Sequence, residues 1–197
     1  MTVRSPWTCI LWDVDGTVVD ASDGILRRLT IALEHFGKPA PTREELVHWI
    51  GPPMFESFQK NVGMTPEESS EAVSYYRAIG KADGYTTGAK LYPGIADLMA
   101  ELASAGLSQA TASSKPENQV AALVEYFDLS PYLRAAGADT SRPVLIGDRH
   151  HDVDGGAAQG VPVIFVRWGF SWPHESEGAA AVVDDVDELR ALLLIEE

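Results

Sequence analysis

Apolar residues follow two rhythms along this chain. Compact apolar runs, Cys9-Ile10-Leu11-Trp12, Val144-Leu145-Ile146, Val161 to Trp168 and Val182-Val183, predict buried strands, and Leu107 to Ser113 predicts a shorter, less apolar one. Helical spacing fills the intervals. Ile25, Leu26, Leu29, Ala32, Leu33 and Phe36 predict a helix over Ser22 to Phe36, ended by Gly37. Ile95, Leu98, Met99 and Leu102 follow Pro93-Gly94 and stop at Gly106. Val120, Leu123, Val124 and Phe127 mark one face of a helix over Pro116 to Phe127, and a terminal helix is expected over 185–195. Thr42 with Glu45, and Thr65 with Glu68 behind Pro66, form capping boxes that open two further helices. Residues 20–87 thus read as helix and loop without a strand. Alternating strands and helices beyond them predict an α/β fold with a parallel sheet, a Rossmann-like core of residues 1–18 and 89–197. Residues 19–88 read as a helical insertion, with Asp20 and Gly88 near its hinges.

Composition narrows the partners. The 197 residues carry a formal net charge of -14, which argues against a nucleic-acid polymer. It also sets a problem for an anionic substrate, since a local cation must invert the field at any site that binds one. No run is apolar enough to span a membrane, and the N-terminus lacks a signal-peptide pattern. Cys9 is the single cysteine, which fits a reducing compartment, so a cytoplasmic monomer or homodimer is expected.

The predicted strand ends concentrate the chemistry. In open α/β sheets ligands bind beyond the carboxyl ends of the strands. The first end carries Asp13 and Asp15, followed by Gly16 and Thr17; the second carries Ser113, Ser114 and Lys115; the third carries Asp148, with Asp152 four residues on. Each cluster alone is ordinary, as an isolated Asp-x-Asp is usually a solvated turn. Their order, each after its own strand, makes them a joint site. A hard cation such as Mg²⁺ accounts for the carboxylates, with Asp13 and Asp148 as direct ligands and Asp152 ordering its waters. Hydroxyls at a helix start suit an oxyanion, with Lys115 beside it. Together these parts suit attack by a carboxylate on a metal-bound phosphoryl group.

Asp13-Val14-Asp15-Gly16-Thr17, Ser113 and Gly147-Asp148 to Asp152 resemble the first, second and fourth motifs of the haloacid dehalogenase-like hydrolase superfamily. Ala112-Ser113-Ser114-Lys115-Pro116 and Trp168-Gly169-Phe170 resemble its phosphoglycolate phosphatase and 5′-nucleotidase branch, and the helical insertion resembles the family's small α-helical cap domain. The resemblance implies that Asp13 forms an aspartyl-phosphate. Asp15 then acts as general acid and base, and its backbone carbonyl joins Asp13 and Asp148 on Mg²⁺. It also implies that Ser113 holds phosphoryl oxygens and that Gly16, Thr17 and Ser114 line the substrate. The Gly51-Pro52-Pro53 turn of the cap faces the substrate, and Arg149 lines the phosphate entrance. Arg27 and Arg28 begin the first cap helix, where either an anionic substrate or a plain surface face accounts for them. Because Asp15 is an acid, phosphate-ester chemistry is expected over carbon–halogen cleavage. The expected enzyme is a Mg²⁺-dependent phosphatase of a small phosphorylated metabolite, with phosphoglycolate, a nucleoside monophosphate and pyrophosphate all open. A phosphomutase and a catalytically silent phosphate-metabolite-binding protein are the alternatives.

One departure stands out. The family's third motif is a lysine between the second and fourth, and no lysine follows Lys115. If Tyr132 to Ala136 is the usual edge strand, only about seven residues precede Val144, whereas a parallel crossover needs a dozen or more. A segment left out of the sequence, a natural deletion with Lys115 in the lysine's place, and a weakened relative all remain open. His150 and His151 are expected in a loop. Trp7, Trp12, Trp49, Trp168 and Trp172 are expected to pack.

Overall fold

The computed structural model describes residues 3–134 and 136–196. The chain divides into two compact units, Met1–Asp20 with Lys90–Glu197, and Ala21–Ala89. The first unit opens with β1 (Val3–Arg4), β2 (Cys9–Trp12) and β3 (Val19–Asp20). The second unit contains α1 (Ser22–His35), α2 (Arg43–Val47), α3 (Met54–Val62) and α4 (Pro66–Asp83). The first unit resumes with β4 (Lys90–Leu91), α5 (Ile95–Ser104), β5 (Ser108–Thr111), α6 (Glu117–Tyr126), β6 (Pro143–Gly147) and α7 (His150–Gln159). It ends with β7 (Val163–Val166), β8 (Ala181–Val183), α8 (Val186–Leu193) and β9 (Ile195–Glu196). Among the described residues no helix is long and apolar enough to cross a membrane.

The core is a five-stranded parallel sheet in the order β5-β2-β6-β7-β8, the expected α/β architecture. Leu11 of β2 lies opposite Ala110 of β5 and Leu145 of β6. The chain passes from β2 to one side and then, after β5, to the other, so β2 is the switch point where a ligand crevice opens. Ile10, Trp12, Val144, Ile146 and Ile164 are buried in the sheet, while Leu145, Val153, Val163 and Phe165 form a further apolar cluster. Gln109 is a fully buried polar residue whose amide is used at both ends. Its Oε1 accepts from Trp12 Nε1 (3.0 Å) and its Nε2 donates to the Met99 carbonyl (2.8 Å).

Several elements differ from expectation. The ladder between β3 and β4 pairs Val19 with Leu91 and Asp20 with Lys90. Two-residue strands leave no periodic signal, yet this one keeps residues 19 and 20 in the first unit. Tyr132 to Ala136 was expected as an edge strand. Instead Arg134 makes a single antiparallel bridge to Gln109, and Ala135 lies outside the described residues. The long crossover to β6 is provided by α6. Residues 136–142 then turn back, with Ser141 N–H donating to Asp139 Oδ1 (2.9 Å) and Arg142 N–H to Thr8 Oγ1 (3.0 Å). His150 and His151 open α7 rather than a loop. This glycine-containing helix has little intrinsic propensity, but Val153 and Gly156 are buried, and a Cβ on Gly156 would collide with Val163. Trp172 is exposed, against the expectation that it packs.

In the second unit both capping boxes form as the spacing predicts. Thr42 N–H donates to Glu45 Oε2 (2.9 Å), and Thr65 N–H donates to Glu68 Oε2 (2.8 Å). Helix α3 is new relative to the sequence reading; it starts behind Pro53 and ends at Gly63, whose φ of +64° is the left-handed stop. Trp49 packs edge-on against the buried Phe58.

Candidate active site

The site lies in the first unit, at the carboxyl ends of β2, β5 and β6. Asp13 directly follows β2, and its N–H donates to the Ile146 carbonyl (2.9 Å), which pins it beside β6. Asp148 directly follows β6, and Asp152 sits in the first turn of α7. One carboxylate oxygen from each of Asp13, Asp148 and Asp152 lies within 4.8 Å of the others. Asp13 and Asp148 are buried.

Neighbouring backbone shapes itself around these carboxylates. Asp148 Oδ2 accepts from Phe170 N–H (2.6 Å), Asp148 Oδ1 from Thr17 Oγ1 (3.4 Å), and Asp152 Oδ2 from Arg149 N–H (3.0 Å). A Cβ on Gly16 or Gly169 would collide with the Asp148 carboxylate, and one on Gly147 with Asp152. Gly16 also needs its freedom for the turn itself, at φ +93°.

Burial pushes the Asp13 carboxyl well above the usual range, Asp152 and Asp148 add repulsion, and a hydrogen bond from Ser113 opposes the rise. Burial pushes Asp148 up to about 7 despite the Phe170 hydrogen bond. Asp152 is raised by burial too, against hydrogen bonds from the Arg149 and Asp148 backbone. Three carboxylates converging in a buried space, all resisting ionisation, form an oxygen donor set suited to one hard divalent cation.

Lys115 is brought in, but not as expected. Its Nζ bonds Asp15 Oδ2 at 2.5 Å, with both side chains nearly buried, so the ammonium holds Asp15 and not Asp13. Asp15 Oδ1 is buried without a hydrogen-bond partner. Ser113, expected to hold phosphoryl oxygens, hydrogen-bonds the Asp13 side chain, and its Oγ accepts from Lys115 N–H (3.3 Å). Ser114 lies in the same turn after β5. Thr17 and Gly16, expected to line the substrate, lie against Asp148. Arg149, expected at the phosphate entrance, is buried with its fork on Glu175, Nε to Oε2 at 2.6 Å and Nη2 to Oε1 at 3.0 Å. Gly51 belongs to the second unit, in the bend before α3, at φ +112°.

Four residues escaped the sequence reading as individual site groups. Gly169 and Phe170 support Asp148, and Glu175 anchors Arg149 and accepts from His150 Nδ1–H at 3.0 Å. Tyr92 is held neutral by burial and by the charges of Asp20, Asp148 and Asp15. The Trp168-Gly169-Phe170 run was visible as a motif; nothing local separates Glu175 from the neighbouring Glu177.

Residues 10–136 match the family model described as haloacid dehalogenase-like hydrolase, and residues 114–189 match a second one described as HAD-hydrolase-like. The chain is 32% identical to the tyrosine-protein kinase PtkA of Mycobacterium tuberculosis, over 93% of this chain and 72% of that one. It is 29% identical to a 5′-nucleotidase of Pseudomonas aeruginosa, over 84% and 85%. Among solved structures it is similar to a predicted phosphatase from Clostridium acetobutylicum, with a TM-score of 0.87, 29% identity, and 93% and 96% of the two chains covered. The 211 aligned positions with the mycobacterial protein take in about 183 residues of this chain (93% of 197), so roughly 28 have no counterpart here. The first family match ends at residue 136, where the short connection begins.

Proposed function

The chain belongs to the haloacid dehalogenase-like hydrolase family as a phosphoric monoester hydrolase, and on that premise we propose that it dephosphorylates a small metabolite with Mg²⁺ through an aspartyl-phosphate on Asp13. The observation that carries this reading is the convergence of Asp13, Asp148 and Asp152 beside an Asp15 gripped by Lys115. Asp13 and Asp148, with Asp152 and the Asp15 carbonyl in support, would hold the cation. When bound, Mg²⁺ supplies charge stabilisation for the phosphoryl group and lets the carboxylates ionise together.

In the first step an Asp13 carboxylate oxygen attacks phosphorus, and Asp15 gives its proton to the departing oxygen. In the second step Asp15 takes a proton from water, which attacks the same phosphorus and frees Asp13 and phosphate. Ser113 orients Asp13 through its hydrogen bond. Lys115 holds Asp15 Oδ2, which leaves the partnerless Oδ1 to carry the proton. In this reading Lys115 supplies the site's positive charge from the turn after β5, and the missing third-motif lysine is a natural deletion.

The test is phosphate release from a broad monoester panel with Mg²⁺, with chelator, and with variants whose fold is confirmed by circular dichroism. Asp13→Asn is expected to abolish turnover. Asp15→Asn is expected to lower kcat roughly 10²–10⁴-fold for alkyl phosphates. It should cost much less for p-nitrophenyl phosphate, whose leaving group needs little protonation. No release by folded wild-type protein with Mg²⁺ from any substrate would end the proposal. The relative named as a tyrosine-protein kinase favours a second reading, transfer of the phosphoryl group to an acceptor other than water. Labelled phosphate appearing on an added acceptor, rather than free in solution, distinguishes it.

A further inference from the structure

Helix α1 carries a cation that the chemistry above does not use. Arg28 is only 5% exposed. Its Nε donates to the Gly24 carbonyl at 3.0 Å, and its guanidinium lies 5.3 Å over the Tyr76 ring. Among the described residues no carboxylate pairs with it. On its own helix Asp23 bonds Arg43 at 2.5 Å, and on α4 Asp83 bonds Arg27. Among the described residues, four of the five N–H donors of the guanidinium have no protein acceptor.

A largely buried cation without a counter-charge is costly to hold, and the face of one tyrosine offsets only part of that. The sequence nonetheless makes room for it. A Cβ on Gly80 would lie 2.7 Å from Arg28 Nη1 and 3.2 Å from the Tyr85 ring. Gly80 sits inside α4, where alanine is intrinsically the better residue. A planar fork, open donors and reserved space together describe a half-made ion pair.

We propose that Arg28 is the receptor for a small oxyanion, a phosphate or carboxylate group, in the second unit. The guanidinium fork matches either group with two parallel hydrogen bonds. The oxyanion is a free ion of that chemistry.

Sulfate titrated into metal-free protein tests the site without turnover, under conditions where the carboxylates of the first unit repel an anion. The Nε–H resonance of Arg28, assigned by its loss in Arg28→Lys, is expected to shift saturably. Calorimetry is expected to find sulfate binding weakened roughly tenfold to hundredfold in Arg28→Lys. If that variant does not fold, Gly80→Ala keeps the charge but displaces Nη1, and should weaken sulfate in the same direction. No saturable shift, or undiminished affinity in the folded variant, overturns the site whether or not the protein releases phosphate.

Discussion

Asp148 concentrates the electrostatics of the site in one side chain. Its carboxyl is pushed up to about 7 in the folded protein, whereas an unfolded chain releases that proton near 3.9. Between those values the native state holds a proton that the unfolded state has lost. Stability of the metal-free protein is therefore expected to fall as pH rises from about 4 to about 7, and to level off above. Asp13 and Asp152 act in the same direction. Thermal unfolding with chelator should give a lower midpoint at pH 8 than at pH 5, and Mg²⁺ should recover most of the difference at pH 8. A chelated midpoint that rises over that range would remove the carboxylate account. Lys115 is the other residue whose role the geometry changed. Lys115→Met is expected to lower kcat roughly 100-fold with little change in KM, because Asp15 loses its tether. Lys115→Arg should not rescue it, since a 7% exposed side chain has no space for a planar fork. Steady-state kinetics on both variants decide this.

At the scale of elements, the segment after β7 does more than its loop character suggests. Phe170 N–H and the bare edge of Gly169 hold Asp148, and Glu175 ties the same segment to Arg149 at the start of α7. Removing one partner of a buried ion pair costs about 3 kcal/mol or more. Glu175→Ala is thus expected to lower the unfolding midpoint by several degrees and to weaken Mg²⁺ binding, read by calorimetry on the folded variant. Metal affinity equal to wild type would limit the pair to a structural role. Long elements were legible in sequence for a local reason: α1, α5 and α6 repeat their apolar stripe, and the capping boxes of α2 and α4 lie within four residues. The elements that escaped have no such pattern. Strands β3 and β4 are two residues each, and α7 is helical because β7 packs against Gly156.

Across the whole molecule, the net charge of -14 opposes an anionic substrate on its way to the site. Screening should relieve that. At fixed free Mg²⁺, kcat/KM for a phosphoester is expected to rise as salt increases from about 10 to about 150 mM, the reverse of a cationic phosphate-binding protein. A steady fall would point to a positive local field that outweighs the net charge. The sequence alone determined the α/β class, the two-part organisation and the strand-end carboxylates Asp13, Asp15 and Asp148, because each depends on neighbours a few positions away. Strand order and partner choice were beyond it. That β2 lies between β5 and β6, that Lys115 grips Asp15 across 100 residues, that Arg149 turns to Glu175 and that Arg28 is largely buried over Tyr76 were decided by tertiary packing. A side chain's partner is set by which strands adjoin and which spaces the glycines leave open, and no local spacing encodes either.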